Sequence, residues 1–310
     1  MKAKIVGRFL TGILVFVSMQ AVSNEPVRLA LNWKAEPQFG GYYAAQILGH
    51  FKKAGFDVEI LQGGSGTPVV QAVANGQAQF GVVTGDEIPV AQENGFDVVG
   101  LFAAYQTFPQ GIMVHESHAA QSLEALLSGP GLLLWQKSVP YAQFLTKKLG
   151  SRIKIRQAPY TGGIAAFAKD KAVAQQCFVT SEPLVAKAQG LATRVFMVAD
   201  LGYNPYASVL IVERQRLSLG VTKRFVETVR KGWVDYMKNP APIHAAMNSL
   251  NPSMSVKDMD ESELAQRRLV EHSPVGAMTL SRWEELHRAL VSIQAIQGKR
   301  TPTDYFRGSL

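Results

Sequence analysis

An indole and two carboxylates fall where strands of an α/β chain should end. Trp33 follows an apolar run over 27–32, and Glu36 lies three residues beyond it. Glu182 sits in Thr180-Ser181-Glu182-Pro183, after another apolar run over 176–180. Open α/β sheets bind ligands outside the carboxyl ends of their strands, so these positions are candidates for a pocket. An indole there can stack on a flat heteroaromatic ring for about 1–3 kcal/mol, by analogy with base stacking. A carboxylate can accept hydrogen bonds from an exocyclic amine and from a protonated ring nitrogen. Plainer readings exist: a core tryptophan at 33, a solvent-facing loop acid at 36, and a helix N-terminal acid at Glu182 beside Pro183. Asn32 offers a donor and an acceptor to a ring, or simply forms a turn.

Other positions repeat this placement. Thr84, Gly85 and Asp86 end a run over 80–84 and can present a hydroxyl and backbone N–H groups at a helix start. Asp86 is also expected to cap the helix that runs to 94. Tyr160, Gly162 and Gly163 follow a later strand in the same way. Trp135 ends a run over 132–135 and could close the opposite face of a ring. Tyr105, Tyr203 and Tyr206 lie where the chain is expected to cross between two lobes, and can line a cleft or merely pack there.

Catalytic signatures are absent. No glycine-rich stretch has phosphate-loop spacing. Gly63-Gly64-Ser65-Gly66 follows a strand, but Val69 stands where a dinucleotide fingerprint needs its third glycine, leaving either a turn whose exposed backbone N–H groups could bind an anion or a plain tight βα turn. No G-x-S-x-G elbow occurs. His115-Glu116-Ser117-His118 lacks the helical zinc-protease spacing and reads as an exposed turn. Cys177 is the single cysteine, which excludes a disulfide within the chain and any multi-cysteine metal framework. Its apolar neighbours suggest a buried thiol. Asp258, Asp260, Glu261 and Glu263 read as a solvated cluster at a helix start. No cofactor and no metal site is expected.

The elements that must position these residues alternate. Strands are expected over 27–32, 56–61, 80–84 and 96–104, with helices over 40–54, 67–75 and 86–94. Tyr43, Ile47 and Phe51 share one face of the first helix. Mostly apolar strands alternating with helices imply a parallel sheet covered on both sides. The pattern restarts with strands over 111–114, 132–135, 153–157, 176–180 and 194–199, with helices over 122–127, 139–149, 163–169 and 183–189. A last strand covers 209–212. From 222 the chain is helical: Phe225, Val229, Trp233 and Met237 share one face, and Ser281-Arg282-Trp283-Glu284 fits a capping box for a helix to 297. Breaks near 105–109 and 202–206 suggest two lobes, 24–105 with 207–310 and 106–206, joined by two hinge crossings around a central cleft. One long sheet is the alternative.

Composition bounds the class. The 310 residues are 47% hydrophobic and 18% charged, with 27 Gly and 15 Pro, which excludes a disordered, collagen-like or coiled-coil chain. The one long apolar run, over 9–17, follows Lys2, Lys4 and Arg8 and precedes Ala21-Val22-Ser23. It reads as a secretory signal peptide over 1–23, cleaved after Ser23, and is too short to span a membrane. From residue 24 onward 29 basic and 24 acidic side chains remain, net +5, with no dense basic tract. Nucleic acid is therefore not an expected partner, and a periplasmic location is.

Asn32-Trp33-Lys34-Ala35-Glu36-Pro37-Gln38-Phe39-Gly40-Gly41-Tyr42-Tyr43-Ala44-Ala45 resembles the opening of ABC-transporter solute-binding proteins for thiamine pyrimidine precursors. That family also holds enzymes that make hydroxymethylpyrimidine phosphate, with sulfonate- and nitrate-binding proteins as wider relatives. The similarity continues through Gly55–Ile60, Gly63-Gly64, Gln71–Gly76, Phe80-Gly81 and Thr180–Pro183. It implies a type II periplasmic-binding-protein fold and a substituted-pyrimidine ligand held by residues that include Asn32, Trp33, Glu36, Phe39 and Glu182. It also implies an inner-membrane ABC permease as partner, with the receptor a monomer. The synthase branch carries a cysteine-rich run and a lysine–histidine pair after the Gly-Gly loop. This chain has only Cys177, and 68–75 holds neither lysine nor histidine. A non-enzymatic receptor is thus expected. The alternatives are a pyrimidine synthase, a receptor for riboflavin, sulfonate or nitrate, or a sensory domain.

Overall fold

The computed structural model describes residues 24–308 apart from 65, 218, 272 and 273; the expected signal peptide lies outside them. The first half-lobe runs β1 (Glu25–Leu31), α1 (Gly40–Ile47), α2 (His50–Lys53), β2 (Phe56–Leu61), α3 (Val69–Ala74), β3 (Phe80–Val83), α4 (Glu87–Glu93) and β4 (Val98–Tyr105). The chain then crosses into β5 (Gln110–His115), α5 (Leu123–Ser128), β6 (Leu132–Trp135), α6 (Pro140–Leu149), β7 (Arg156–Pro159), α7 (Ala165–Lys169), β8 (Val173–Phe178), α8 (Glu182–Ala188) and β9 (Thr193–Met197). It returns through β10 (Ala207–Glu213) to α9 (Leu219–Lys238), α10 (Ala241–Leu250), α11 (Val256–Val270) and α12 (Leu280–Ser292).

Two five-stranded sheets result, ordered β2-β1-β3-β10-β4 and β7-β6-β8-β5-β9. The two-lobed α/β class is as expected, but the purely parallel sheet is corrected. β10 runs antiparallel to β3 and β4, and β5 runs antiparallel to β8 and β9. The cause is where each strand starts. β1, β3, β4 and β8 carry their C-terminal ends to the gap between the sheets, whereas β10 begins at that gap. A strand that enters a lobe from a crossing must run opposite to strands that end there.

Local expectations hold unevenly. The helix expected over 40–54 is two helices, because Gly49 adopts a left-handed φ of +72° that no α-helix contains. Tyr43 and Phe51 are buried as their spacing suggests, but Ile47 at that break is 40% exposed. The capping box expected at Ser281 is also corrected. α12 begins two residues earlier with Thr279 as N-cap, makes no side-chain cap bond and stops at Ser292. The Thr279 N–H donates instead to the Tyr206 hydroxyl (3.0 Å), a tertiary bond that sets where the helix enters. A true capping box starts α11, where Ser255 and Asp258 satisfy each other's N–H groups.

The face of α9 is buried as its pattern requires. Phe225 stacks on Phe80 with ring centroids 4.0 Å apart, and Trp233 meets Tyr42 edge-on at 6.0 Å. His115, expected in an exposed turn, is buried at the end of β5. Its Nε2 lies 2.8 Å from the Phe167 carbonyl and its ring stacks on Phe167. The acidic cluster near 260 is likewise not simply solvated: Glu263 is buried beside Arg267 (2.8 Å), and Asp260 meets His244 Nδ1 at 2.7 Å. Cys177 is buried, and burial pushes its thiol pKa up, which suits an inert thiol.

Candidate functional site

The strand ends of the two sheets enclose a cavity of about 290 Å³. The first lobe contributes Asn32, Trp33, Glu36, Phe39, Thr84 and Tyr105 to its wall, and the second contributes Phe178, Thr180, Ser181 and Glu182. Gln38, Ala207 and Ser208 complete the lining. Trp33 and Glu182, far apart in sequence, therefore face one space.

The loop that carries Asn32, Trp33 and Glu36 is held by its backbone. Trp33 O accepts from Gly63 N–H (3.0 Å), and a Cβ on Gly63 would lie 2.2 Å from Leu31 O. The Gly-Gly turn is thus needed for close approach. Ala35 N–H donates to Gln62 Oε1 (2.7 Å) and Ala35 O accepts from Asn251 Nδ2 (3.2 Å). Pro37 O accepts from Gln266 Nε2 (3.1 Å), and the Oε1 of the same Gln266 accepts a hydrogen bond from the Tyr105 hydroxyl. Gln38 O accepts from Ser208 Oγ (3.1 Å). Bonds of this density fix a loop before any ligand arrives, which lowers the ordering cost of binding.

On this loop the Trp33 Nε1–H donates to Glu36 Oε1 (3.0 Å), and the indole stays 36% exposed. Burial raises the Glu36 pKa; the Trp33 bond and the Lys34 charge oppose that, and the Glu182 charge adds to it. The Glu36 carboxyl thus feels the Glu182 charge across the gap. Glu182 is the first residue of α8, so its reading as a helix N-terminal acid is also true. Its carboxylate is turned back, however: Oε2 accepts from Phe178 N–H (2.8 Å) and Oε1 from the Tyr160 hydroxyl (2.9 Å). Each oxygen keeps a lone pair for a further donor.

Of the remaining candidates, Thr84 and Tyr105 line this cavity, while Gly85, Asp86, Trp135, Tyr160, Gly162, Gly163, Tyr203 and Tyr206 lie off it. Thr84 N–H donates to Glu87 Oε1 (2.8 Å) and Gly85 N–H to Tyr206 O (2.7 Å), so the backbone donors expected to greet an anion are already engaged. Asp86 stands at the N-cap position of α4 but makes no cap bond. Its carboxylate accepts instead from Thr84 Oγ1 (2.6 Å) and from the Tyr203 hydroxyl (2.7 Å). Tyr203 and Tyr206 are buried at the second crossing. Trp135 does not stand opposite Trp33. It is buried, donates to Gln157 Oε1 (3.2 Å) and, with Tyr160, walls a separate surface cavity of about 460 Å³. Gly162 and Gly163 are exposed beyond both cavities.

Sequence reasoning assigned no role to six lining residues. Gln38, Phe178, Thr180 and Ser181 stood inside the runs already singled out, so their neighbours were the signal. Ala207 and Ser208 carried none. Ser208 has φ +49°, uncommon for a residue with a side chain. It is held there by its bond to Gln38 O and by the Tyr42 hydroxyl, which donates to its carbonyl (3.2 Å). Among the described residues, none of the cavity's lining is lysine or histidine, and no group of three or more His, Cys, Asp or Glu could hold a metal ion. No helix among them is long and apolar enough to cross a membrane.

The profile of the NMT1/THI5 like family matches residues 36–243, most of the chain and both walls of the cavity. The protein belongs to this family. It is 22% identical over 226 residues to the riboflavin-binding protein RibY of Chloroflexus aurantiacus, a match that covers 70% of this chain and 64% of that protein. Among solved structures it is similar to the periplasmic aliphatic sulphonate binding protein SsuA of Escherichia coli. The TM-score is 0.71 at 13% identity, with 93% of this chain and 94% of that one covered. It is also similar to the alkanesulfonate-binding protein SsuA of Xanthomonas axonopodis pv. citri bound to MOPS. There the TM-score is 0.60 at 13% identity, covering 91% and 99%. The NMT1/THI5-like chain thus has the fold of periplasmic solute-binding proteins.

Proposed function

We propose that this protein is the periplasmic solute-binding component of an ABC importer and that its ligand is a small, flat heterocycle rich in hydrogen-bond donors. A thiamine pyrimidine precursor is the first choice. The observation that carries this reading is Trp33 with Glu36 on one wall and Glu182 on the other of a single cavity. The indole offers a stacking face, and the carboxylates offer acceptors to an exocyclic amine and a ring N–H. Residues 24–105 and 207–310 form the fixed lobe of this reading and 106–206 the closing one, with a membrane permease as partner and the receptor acting as a monomer.

The same features weigh against the other ligand classes. A sulfonate or nitrate would enter between two carboxylates and find the Thr84 and Gly85 N–H groups occupied. A cavity of about 290 Å³ lies at the lower end of the roughly 300–1,000 Å³ that drug-sized ligands need, which favours one substituted ring over a three-ring flavin. A synthase would need an amine or imidazole at the ring, and neither lines this cavity.

Titration calorimetry with a 4-aminopyrimidine, riboflavin, taurine and nitrate tests the reading. The aminopyrimidine is expected to bind most tightly. Tight binding of taurine or nitrate with no heterocycle bound would overturn it.

A further inference from the structure

A two-lobed receptor closes by bending at its crossings, and here one side chain holds both. Arg282, near the start of α12, donates through Nη1 to Gln106 O in the first crossing and through Nη2 to Asn204 O (2.7 Å) in the second. Its guanidinium lies over the Tyr206 ring, 4.1 Å from the centroid. Tyr206 in turn takes the Thr279 N–H that opens α12.

Neighbouring bonds show which residues stay with the first lobe. Gln106 N–H donates to Leu269 O (2.7 Å), and its Nε2 donates to Ala103 O (2.9 Å) and Ala277 O (3.0 Å). Phe108 N–H donates to Asn204 Oδ1 (2.8 Å), a rung between the crossings. Tyr203 is tied to Asp86, and Asp86 to Thr84 in the cavity wall. Bending is thereby left to the few residues beyond these ties, around 108–109 and 201–202.

We propose that Arg282 is a positioning residue for ligand capture: by bridging the two crossings it gives them one pivot, so that the second lobe swings onto the first as a rigid body. It lies outside the cavity lining and acts only through the crossings. Its role presupposes the receptor reading above, since only closure over a ligand gives a pivot a task. Arginine suits it because a planar fork can serve two carbonyls from different segments while stacking on a ring; a lysine ammonium, a single point charge on a flexible stem, cannot.

Spin labels at the exposed positions Lys53 and Ser151, one on each lobe, read the inter-lobe distance distribution of the ligand-free chain. Arg282→Gln and Arg282→Lys should both broaden it. Arg214→Gln is the control. It loses a partly buried pair with Asp97 (2.9 Å) and a bond to Asp304 O (2.6 Å) within the first lobe, and it should keep the parent width. Bound aminopyrimidine should leave both Arg282 variants about tenfold faster, because fewer molecules sit in the closing geometry. If Arg282→Gln does not fold, Arg282→Lys carries the test. A parent width in Arg282→Lys, or equal broadening in Arg214→Gln, would overturn the pivot. Failure of every heterocycle to bind would instead sink the ligand assignment, while the distance measurement would still decide the pivot.

Discussion

The two walls of the cavity differ in how firmly they are built. The first rests on β1, β3, β4 and β10, nearly all of whose residues are buried, and on aromatic stacks such as Phe225 on Phe80 and Phe51. The second is thinner at its edges: β5 and β8 are mostly buried, but β9 is only half-buried along its whole length, β7 is largely exposed, and α8 buries a single residue, Ala186. Regions with little buried apolar surface open at lower cost. On the receptor reading proposed above, the first lobe is the platform and the second the moving jaw, and that reading divides recognition accordingly. Trp33 and Glu36 lie on a loop anchored along its backbone, whereas the jaw's carboxylate, Glu182, is aimed by two local bonds from Tyr160 and Phe178.

The sharpest way to break that contrast is through the platform. Phe225→Ala should cost about 3–5 kcal/mol of folding stability by leaving a cavity among stacked rings. Denaturant unfolding measures it, and a cost near that of a surface change would mean the platform is not rigid. Hydrogen exchange on the parent protein should show β9 amides exchanging faster than those of β4; the reverse order would erase the contrast.

Trp33→Ala should cost about 1–3 kcal/mol of affinity for an aminopyrimidine by removing a stacking face. Because the indole is partly exposed, Tm should barely move, and a large drop in Tm would make Trp33 a structural residue.

A smaller effect is expected from pH. Burial raises the Glu36 pKa, so stability from its protonated form is full below the ordinary carboxylate range. That stability is lost as pH rises through the raised value. Glu36→Gln should flatten this decline in Tm against pH; an unchanged profile would mean Glu36 ionises as freely as it does in water.

Least of all should follow from Lys187→Ala, which removes an ion pair between α8 and Glu261 of α11 (3.0 Å). The lysine is two-thirds exposed, and such pairs contribute about 0–1 kcal/mol. A larger loss of affinity would reveal a latch between the lobes.

The alternation of elements could be read from the sequence because a period of two or of 3.6 in apolar residues is local. So could the buried face of α9 and the position of Trp33 at a strand end. The sequence likewise determined that one thiol and no metal-ligand spacing were on offer. Tertiary structure alone decided which strand ends share a space. Trp135 and Trp33 looked equivalent in sequence, yet only Trp33 shares a cavity with Glu182, because sheet order brings β8 rather than β6 to face β1. It also decided the reversed strands β5 and β10, the left-handed Ser208 and the reach of Arg282 to both crossings. Each of these depends on segments more than 60 residues apart being brought together, and no periodicity within a single segment encodes a distance to another.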